Sequence, residues 1–300
     1  MPHAPQRSVL SGVRVESAMR RQVVRGVRSA SLSACINQMI KHKVGAMLVV
    51  DELNRPAGVL SKTDLVSAYY AMLPVDTPVG DIVAGAPAFC YPDDLLEEAI
   101  DRMQAEGIHR IYVRGAHIEQ IVGTLSYLDV VGLLYRYCRN CRNSVFRHRQ
   151  GDALSERRIL VREVMSSRVY TGRCTSHLGE IIETLTSSRC GAALLVDEAA
   201  QPAGVISKTD LVLAYKHGLA IETPAAEIMQ HPVLSCGEDN LLAHALQQML
   251  LRDVQRLFVH KGNACRIVGV LSLSDSARFR SGSCRACMPS RLLADDQPLY

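Results

Sequence analysis

Four times along the chain a serine stands three residues before an aspartate, behind a glycine and two largely apolar residues. The strings are GVLSKTD with Ser61 and Asp64, GTLSYLD with Ser126 and Asp129, GVISKTD with Ser207 and Asp210, and GVLSLSD with Ser272 and Asp275. Two chemistries suit that spacing. At the start of a helix the serine hydroxyl accepts a backbone N–H while the carboxylate reaches back, a capping box. The same helix terminus directs free N–H groups at an anion, with the serine and aspartate beside it as polar contacts. The two roles are compatible. Lys62 and Lys208 follow the serines of two strings and read either as anion contacts or as solvated helix-end cations.

A second constellation is basic. His109 and Arg110 begin an apolar run, and Gln255 and Arg256 begin its counterpart. A guanidinium offers a two-pronged fork to a phosphate; the alternative is an arginine snorkelling from a strand end to a surface carboxylate. A third is the pair of CxxC motifs, Cys138/Cys141 and Cys284/Cys287. Together they would supply four thiolates, the ligand set of a structural zinc or an iron-sulfur cluster. Arginines nearby would favour redox-active thiolates instead, and simple copying of surface thiols is the third alternative. Cys90 and Cys236 read as structural cysteines at strand-like positions.

The elements that must position these residues repeat. GAMLVVDELNRPAGVLSKTDLVSAYY from Gly45 returns as GAALLVDEAAQPAGVISKTDLVLAYK from Gly191, an offset of 146 residues that holds over most of the chain. The four serines lie 65, 81 and 65 residues apart, so each half divides again into units of about 65 residues. In the second unit, Leu95, Leu96, Ala99, Ile100 and Met103 have helical spacing behind Asp93-Asp94, and Gly107 ends the run. Ile111 to Val113 and Ile121 to Leu125 read as a hairpin around Gly115, and Ser126 opens a second helix. The unit order is helix, strand, strand, helix. So small a unit cannot bury its apolar faces alone, and the units are expected to pair. The expected division is 15–137 (units 15–73 and 78–137), a linker with the first CxxC at 138–160, 161–283 (units 161–219 and 224–283), and a tail at 284–300. The first dozen residues read as a disordered tail.

The remaining composition narrows the function classes. Of 300 residues 48% are apolar and none is Trp, so the core is aliphatic. Thirty-four basic against 30 acidic side chains give a net charge of +4, too balanced for a dedicated nucleic-acid binder. The longest apolar run, Val44 to Val50, has strand length, so no membrane span is expected. Without a signal-peptide pattern, ten cysteines point to reduced thiols or metal ligands and a cytoplasmic setting. There is no Walker loop, GxSxG or HExxH, and the repeat consumes nearly the whole chain, so no enzyme activity is expected.

The unit order, the fourfold string after the second strand and the grouping in twos resemble tandem cystathionine-β-synthase (CBS) domains. Paired, such domains form a Bateman module, and this α+β chain would hold two modules made by internal duplication. The resemblance implies a non-catalytic regulatory sensor for adenine nucleotides (AMP, ADP or ATP) or S-adenosylmethionine, bound in clefts between paired units. It further implies that the string's Asp contacts the ribose and that His109, Arg110 and Arg256 face the phosphates. Units one and three carry Gly45-Ala46 and Gly191-Ala192 in place of a basic pair, so two nucleotide sites, one per module, are expected. Occupancy would alter the packing of paired units and be read by an as yet unidentified protein target or, in a homodimer, by a second copy of the chain. The CxxC motifs depart from the plain CBS pattern.

Overall fold

The computed structural model describes residues 9–83, 85–116, 120–141 and 158–281. Unit one runs β1 (Arg25–Val27), α1 (Leu32–Lys41), β2 (Ala46–Val50), β3 (Pro56–Ser61) and α2 (Lys62–Tyr70). Unit two runs β4 (Phe89–Cys90), α3 (Leu96–Ala105), β5 (Arg110–Arg114), β6 (Ile121–Ser126) and α4 (Tyr127–Asn140). Unit three comprises β7 (Thr171–Arg173), α5 (Leu178–Ser187), β8 (Ala192–Val196), β9 (Pro202–Ser207) and α6 (Lys208–Lys216). Unit four comprises β10 (Ser235–Gly237), α7 (Leu242–Arg252), β11 (Arg256–His260), β12 (Ile267–Ser272) and α8 (Leu273–Phe279).

The expected helix, strand, strand, helix order is present in each unit, preceded by a strand the periodicity did not reveal. Each sheet has three strands in chain order, the first pair parallel and the second antiparallel. The leading strands are only two or three residues long, and Arg25-Gly26-Val27 carries no alternating pattern to read. The first helix of each unit buries one apolar stripe, such as Leu32, Cys35, Ile36 and Met39 in α1. Asp93 and Asp94 do not cap α3: its N-cap is Leu95, and Asp94 instead accepts from the Tyr91 amide at 2.7 Å. Gly107 follows α3 at φ +65°, as expected, but Lys43, Arg189 and Asp253 take the same left-handed position in the other units. Only the glycine announces that turn in sequence.

The units interlock. The segment ahead of unit one packs on unit two: Arg20 and Thr124 exchange two backbone hydrogen bonds of 2.9 Å. By the repeat, Ser166 and Val270 do the same at 2.9 and 2.8 Å. This crossing explains the glycine of the second and fourth strings. A Cβ on Gly123 would stand 2.7 Å from the Arg20 carbonyl oxygen, and one on Gly269 would stand 2.7 Å from that of Ser166. The tail expected at the N-terminus is ordered by residue 10, since Leu10 is wholly buried in the core shared by units two and four.

Helices close the two modules on each other. Units one and three share one core, units two and four share a second, and a smaller apolar layer with Leu48, Val50, Tyr112 and Ile121 lies between the facing sheets of the first module. The α2–α6 contact is reciprocal: Tyr69 stacks on Tyr215 at 5.2 Å between ring centroids. Tyr69 also donates to the Leu219 carbonyl at 2.8 Å and Tyr215 to the Leu73 carbonyl at 2.7 Å. Both modules therefore pair within one chain, through α2–α6 and α4–α8. No helix among the described residues is long and apolar enough to cross a membrane.

Candidate functional site

The four strings open α2, α4, α6 and α8, and all four form capping boxes. In each, one carboxylate oxygen is taken by the serine. Asp64 Oδ2 accepts from Ser61 N and Oγ, both at 2.7 Å, and Asp210 Oδ2 accepts from Ser207 at 2.8 and 2.7 Å. The corresponding distances are 2.9 and 2.5 Å for Ser126–Asp129 and 3.0 and 2.5 Å for Ser272–Asp275. The capping role is thus fulfilled everywhere, and any ligand must use the second oxygen. On Asp275 that oxygen accepts no hydrogen bond among the described residues.

Cations from all four units converge beside these helix starts. Lys62 donates to Thr209 Oγ1 at 2.8 Å, and Lys208 returns the bond to Thr63 Oγ1 at 2.9 Å. The two lysines are not solvated helix-end residues: burial pushes the pKa of each below the ordinary lysine value, and the Arg256 charge lowers it further, against the opposing pull of Asp210 on Lys62 and of Cys190 and Asp64 on Lys208. His109 joins them. Burial, then the charges of Arg278, Lys208 and Arg256, hold its imidazole below 6.5 despite Asp275 nearby. Its ring meets Tyr127 edge-on at 5.6 Å, and Arg278 lies over the same Tyr127 ring at 5.2 Å.

Arg256 sits against Gly191, where a Cβ would meet the guanidinium at 2.2 Å, so the glycine is what makes room. Burial disfavours its charge; Cys190 and Asp275 favour it. Its guanidinium donates no hydrogen bond among the described residues. Five basic side chains, Lys62, Lys208, His109, Arg256 and Arg278, thus lie near enough to one another and to Asp64, Asp210 and Asp275 for their charges to interact. Two helix N-termini, of α2 and α6, add their partial positive charge. The arrangement is complementary to a compact multivalent anion such as a phosphate chain.

Arg110, the repeat partner of Arg256, is placed differently. It donates to Thr124 Oγ1 at 3.2 Å, and its charged neighbours are Asp129 and Arg20 rather than the lysines. Asp129 pairs through Oδ1 with Arg20, and its side chain is only 4% exposed. Tyr112, on the same strand face as Arg110, has a buried hydroxyl with no hydrogen-bond partner among the described residues, and Arg114 stacks on Phe89 at 3.7 Å. An open depression on unit three, lined by Thr171, Arg173, Glu180 and Asp197, contains none of the expected site residues.

Of the CxxC residues, Cys138 is buried in α4 and Cys141 caps its end, while Cys284 and Cys287 lie outside the described residues. No group of three or more His, Cys, Asp or Glu among the described residues is placed to hold a metal ion. Cys90 and Cys236 are buried, and burial first of all pushes their thiols up to about 12 and about 11, as suits structural cysteines.

A family model described as "CBS domain" matches residues 15–71, 79–136, 161–217 and 225–275. An uncharacterized protein of Methanopyrus kandleri, MK0525, is 29% identical over 121 residues; the match covers 40% of this chain and 61% of that protein. An uncharacterized protein of Methanocaldococcus jannaschii, MJ1225, is 21% identical over 199 residues, 66% of this chain and 68% of its own. The crystal structure of MJ1225 superposes with a TM-score of 0.74 at 16% identity, covering 89% of this chain and 99% of that one. An uncharacterized conserved protein from Pyrococcus horikoshii superposes at 0.58 with 17% identity, over 89% of this chain and 100% of that one. These likenesses establish the four-unit fold.

Proposed function

The chain belongs to the CBS-domain family, and from that premise we propose that it is a non-catalytic regulatory sensor of adenine nucleotides. The ribose of the ligand bonds the free oxygen of Asp275, and its phosphates lie among Arg256, Lys62, Lys208, His109 and Arg278. The observation that carries this reading is that, among the described residues, the Arg256 guanidinium donates no hydrogen bond and the second oxygen of nearby Asp275 accepts none. A guanidinium that is largely desolvated and donates no hydrogen bond is stabilised when an anion arrives to accept from it. The surplus of positive charge also selects within the ligand class. AMP, ADP and ATP bring phosphates to it, whereas S-adenosylmethionine brings a sulfonium cation that it repels.

Lys62 and Lys208 come from different modules and share the same space, so a phosphate between them draws α2 and α6 together. That change in packing is what a partner protein would read, through its differential affinity for the two states. The test is a thermal-unfolding screen with AMP, ADP, ATP and S-adenosylmethionine on the whole chain and on Asp275→Ala. A nucleotide at a hundred times its Kd stabilises the wild type by about 2.7 kcal/mol, and Asp275→Ala loses that gain. No shift with any of the three nucleotides, or an undiminished shift in Asp275→Ala, would sink the reading.

A further inference from the structure

We infer that Arg20 occupies the ribose position of the first module, so that of the two clefts equipped with an arginine and a string aspartate only the second takes a nucleotide. The inference rests on the nucleotide reading above and names the residue that makes the two modules unequal.

The first observation is the state of the two carboxylates. Asp129 and Asp275 occupy equivalent places and spend Oδ2 alike, on the backbone N–H and hydroxyl of Ser126 and Ser272. Oδ1 differs. On Asp129 it is paired with the Arg20 guanidinium; on Asp275 it makes no hydrogen bond or ion pair among the described residues. The second observation is how Arg20 is held. Its backbone is fastened to Thr124 by two hydrogen bonds, and Gly123 lets the Arg20 carbonyl approach to a distance no side chain would permit. Ser166 is fastened to Val270 in the same way. The two residues therefore start from the same backbone place, and only their side chains differ: the arginine spans the gap to the carboxylate and the serine is too short.

The consequence follows from charge. A ribose offers neutral hydroxyls, and to reach Asp129 they must displace a cation from a carboxylate that is almost wholly buried. At Asp275 no ion pair among the described residues has to be broken. Arg110 is drawn into the same arrangement through Thr124, while the Arg256 guanidinium donates no hydrogen bond among the described residues. Arg20 is a specificity-determining residue by this account, acting through occupation rather than by touching the ligand.

Titration calorimetry with AMP on the full chain tests it. The wild type binds one AMP, and Arg20→Ser, which installs the residue of the second module, binds two, the added one being lost again in Arg20→Ser/Asp129→Ala. The converse variant, Ser166→Arg, weakens the wild-type site by about tenfold or more, and it decides the matter alone if Arg20→Ser proves unstable. A wild type that already binds two, with one lost in Asp129→Ala, overturns this inference and leaves the nucleotide reading standing. So does Arg20→Ser remaining at one, or Ser166→Arg retaining full affinity. If AMP binds to none of the proteins, the nucleotide reading itself fails and takes this inference with it.

Discussion

The two modules are copies at an offset of 146 residues, and their backbones, capping boxes and interlocking segments agree element by element. Their clefts do not. Arg20 faces Ser166 across the duplication, His109 faces Gln255, Tyr112 faces Phe258, Thr124 faces Val270 and Gly132 faces Arg278. Even the shared arginine differs in its company: Arg110 bonds Thr124, whereas Arg256 stands free against Gly191. In the first module Arg20 is paired with Asp129 and Arg110 with Thr124, whereas in the second neither the Arg256 guanidinium nor the second oxygen of Asp275 makes a hydrogen bond among the described residues. A duplicated scaffold thus holds its fold through the positions that pack, while a handful of cleft positions set what each copy does.

The largest expected effect breaks that comparison at the arginines. Arg256→Ala is expected to weaken AMP about 10- to 100-fold, the value of a charged hydrogen-bonding contact of about 1.5–3 kcal/mol. Arg110→Ala should change AMP affinity by less than about threefold, since its guanidinium is engaged within its own module. Calorimetry on both variants decides, and equal losses would mean that the clefts work alike.

An intermediate effect tests the shared scaffold. Gly123→Ala and Gly269→Ala each set a methyl group 2.7 Å from a backbone carbonyl oxygen, and each should cost about 1–3 kcal/mol of stability. Similar losses in chemical denaturation are expected from the two variants. A silent Gly269→Ala would show that the second module tolerates slack where the first does not.

The smallest effect is a pH dependence from a residue that only the first module contributes. His109 is held below 6.5 by burial and by Arg278, Lys208 and Arg256, with Asp275 opposing. A folded-state value below the unfolded one means that the fold favours the neutral ring. Stability from this group is therefore present above the unfolded value and is lost as pH falls through it toward the folded value. A bound phosphate reverses the sign locally by favouring the imidazolium, so nucleotide binding takes up a proton and tightens as pH falls toward 6. His109→Gln should flatten the affinity profile between about pH 5 and 7, and a profile unchanged by that substitution would remove His109 from the phosphate site.

Much of this was legible because it is local. Helices and hairpins follow from residues a few positions apart, and the fourfold string announced both the repeat and the four capping boxes. Of the leading strands, those holding Cys90 and Cys236 were read as strand-like, while Arg25–Val27 and Thr171–Arg173 escaped because they are too short to show a period. The left-handed turns at Lys43, Arg189 and Asp253 escaped because these exposed residues carry no glycine signal, although the residue after each donates back to the preceding helix, to the Met39, Leu185 and Met249 carbonyls. The sequence left the lysines open between anion contacts and solvated cations because nothing near Lys62 foretells Thr209, which lies 147 residues away.

By itself the sequence determined the duplication, the units and the chemistry available at each helix start, since these depend on residue type and short-range spacing. Tertiary structure alone decided which of those groups remain free. Arg20 reaches Asp129 across 109 residues, and Lys62, Lys208, His109, Arg256 and Arg278 meet only because four units close on one another. Whether a charge is satisfied or left open depends on neighbours in space, and in an interlocked fold most of those neighbours are distant in the chain.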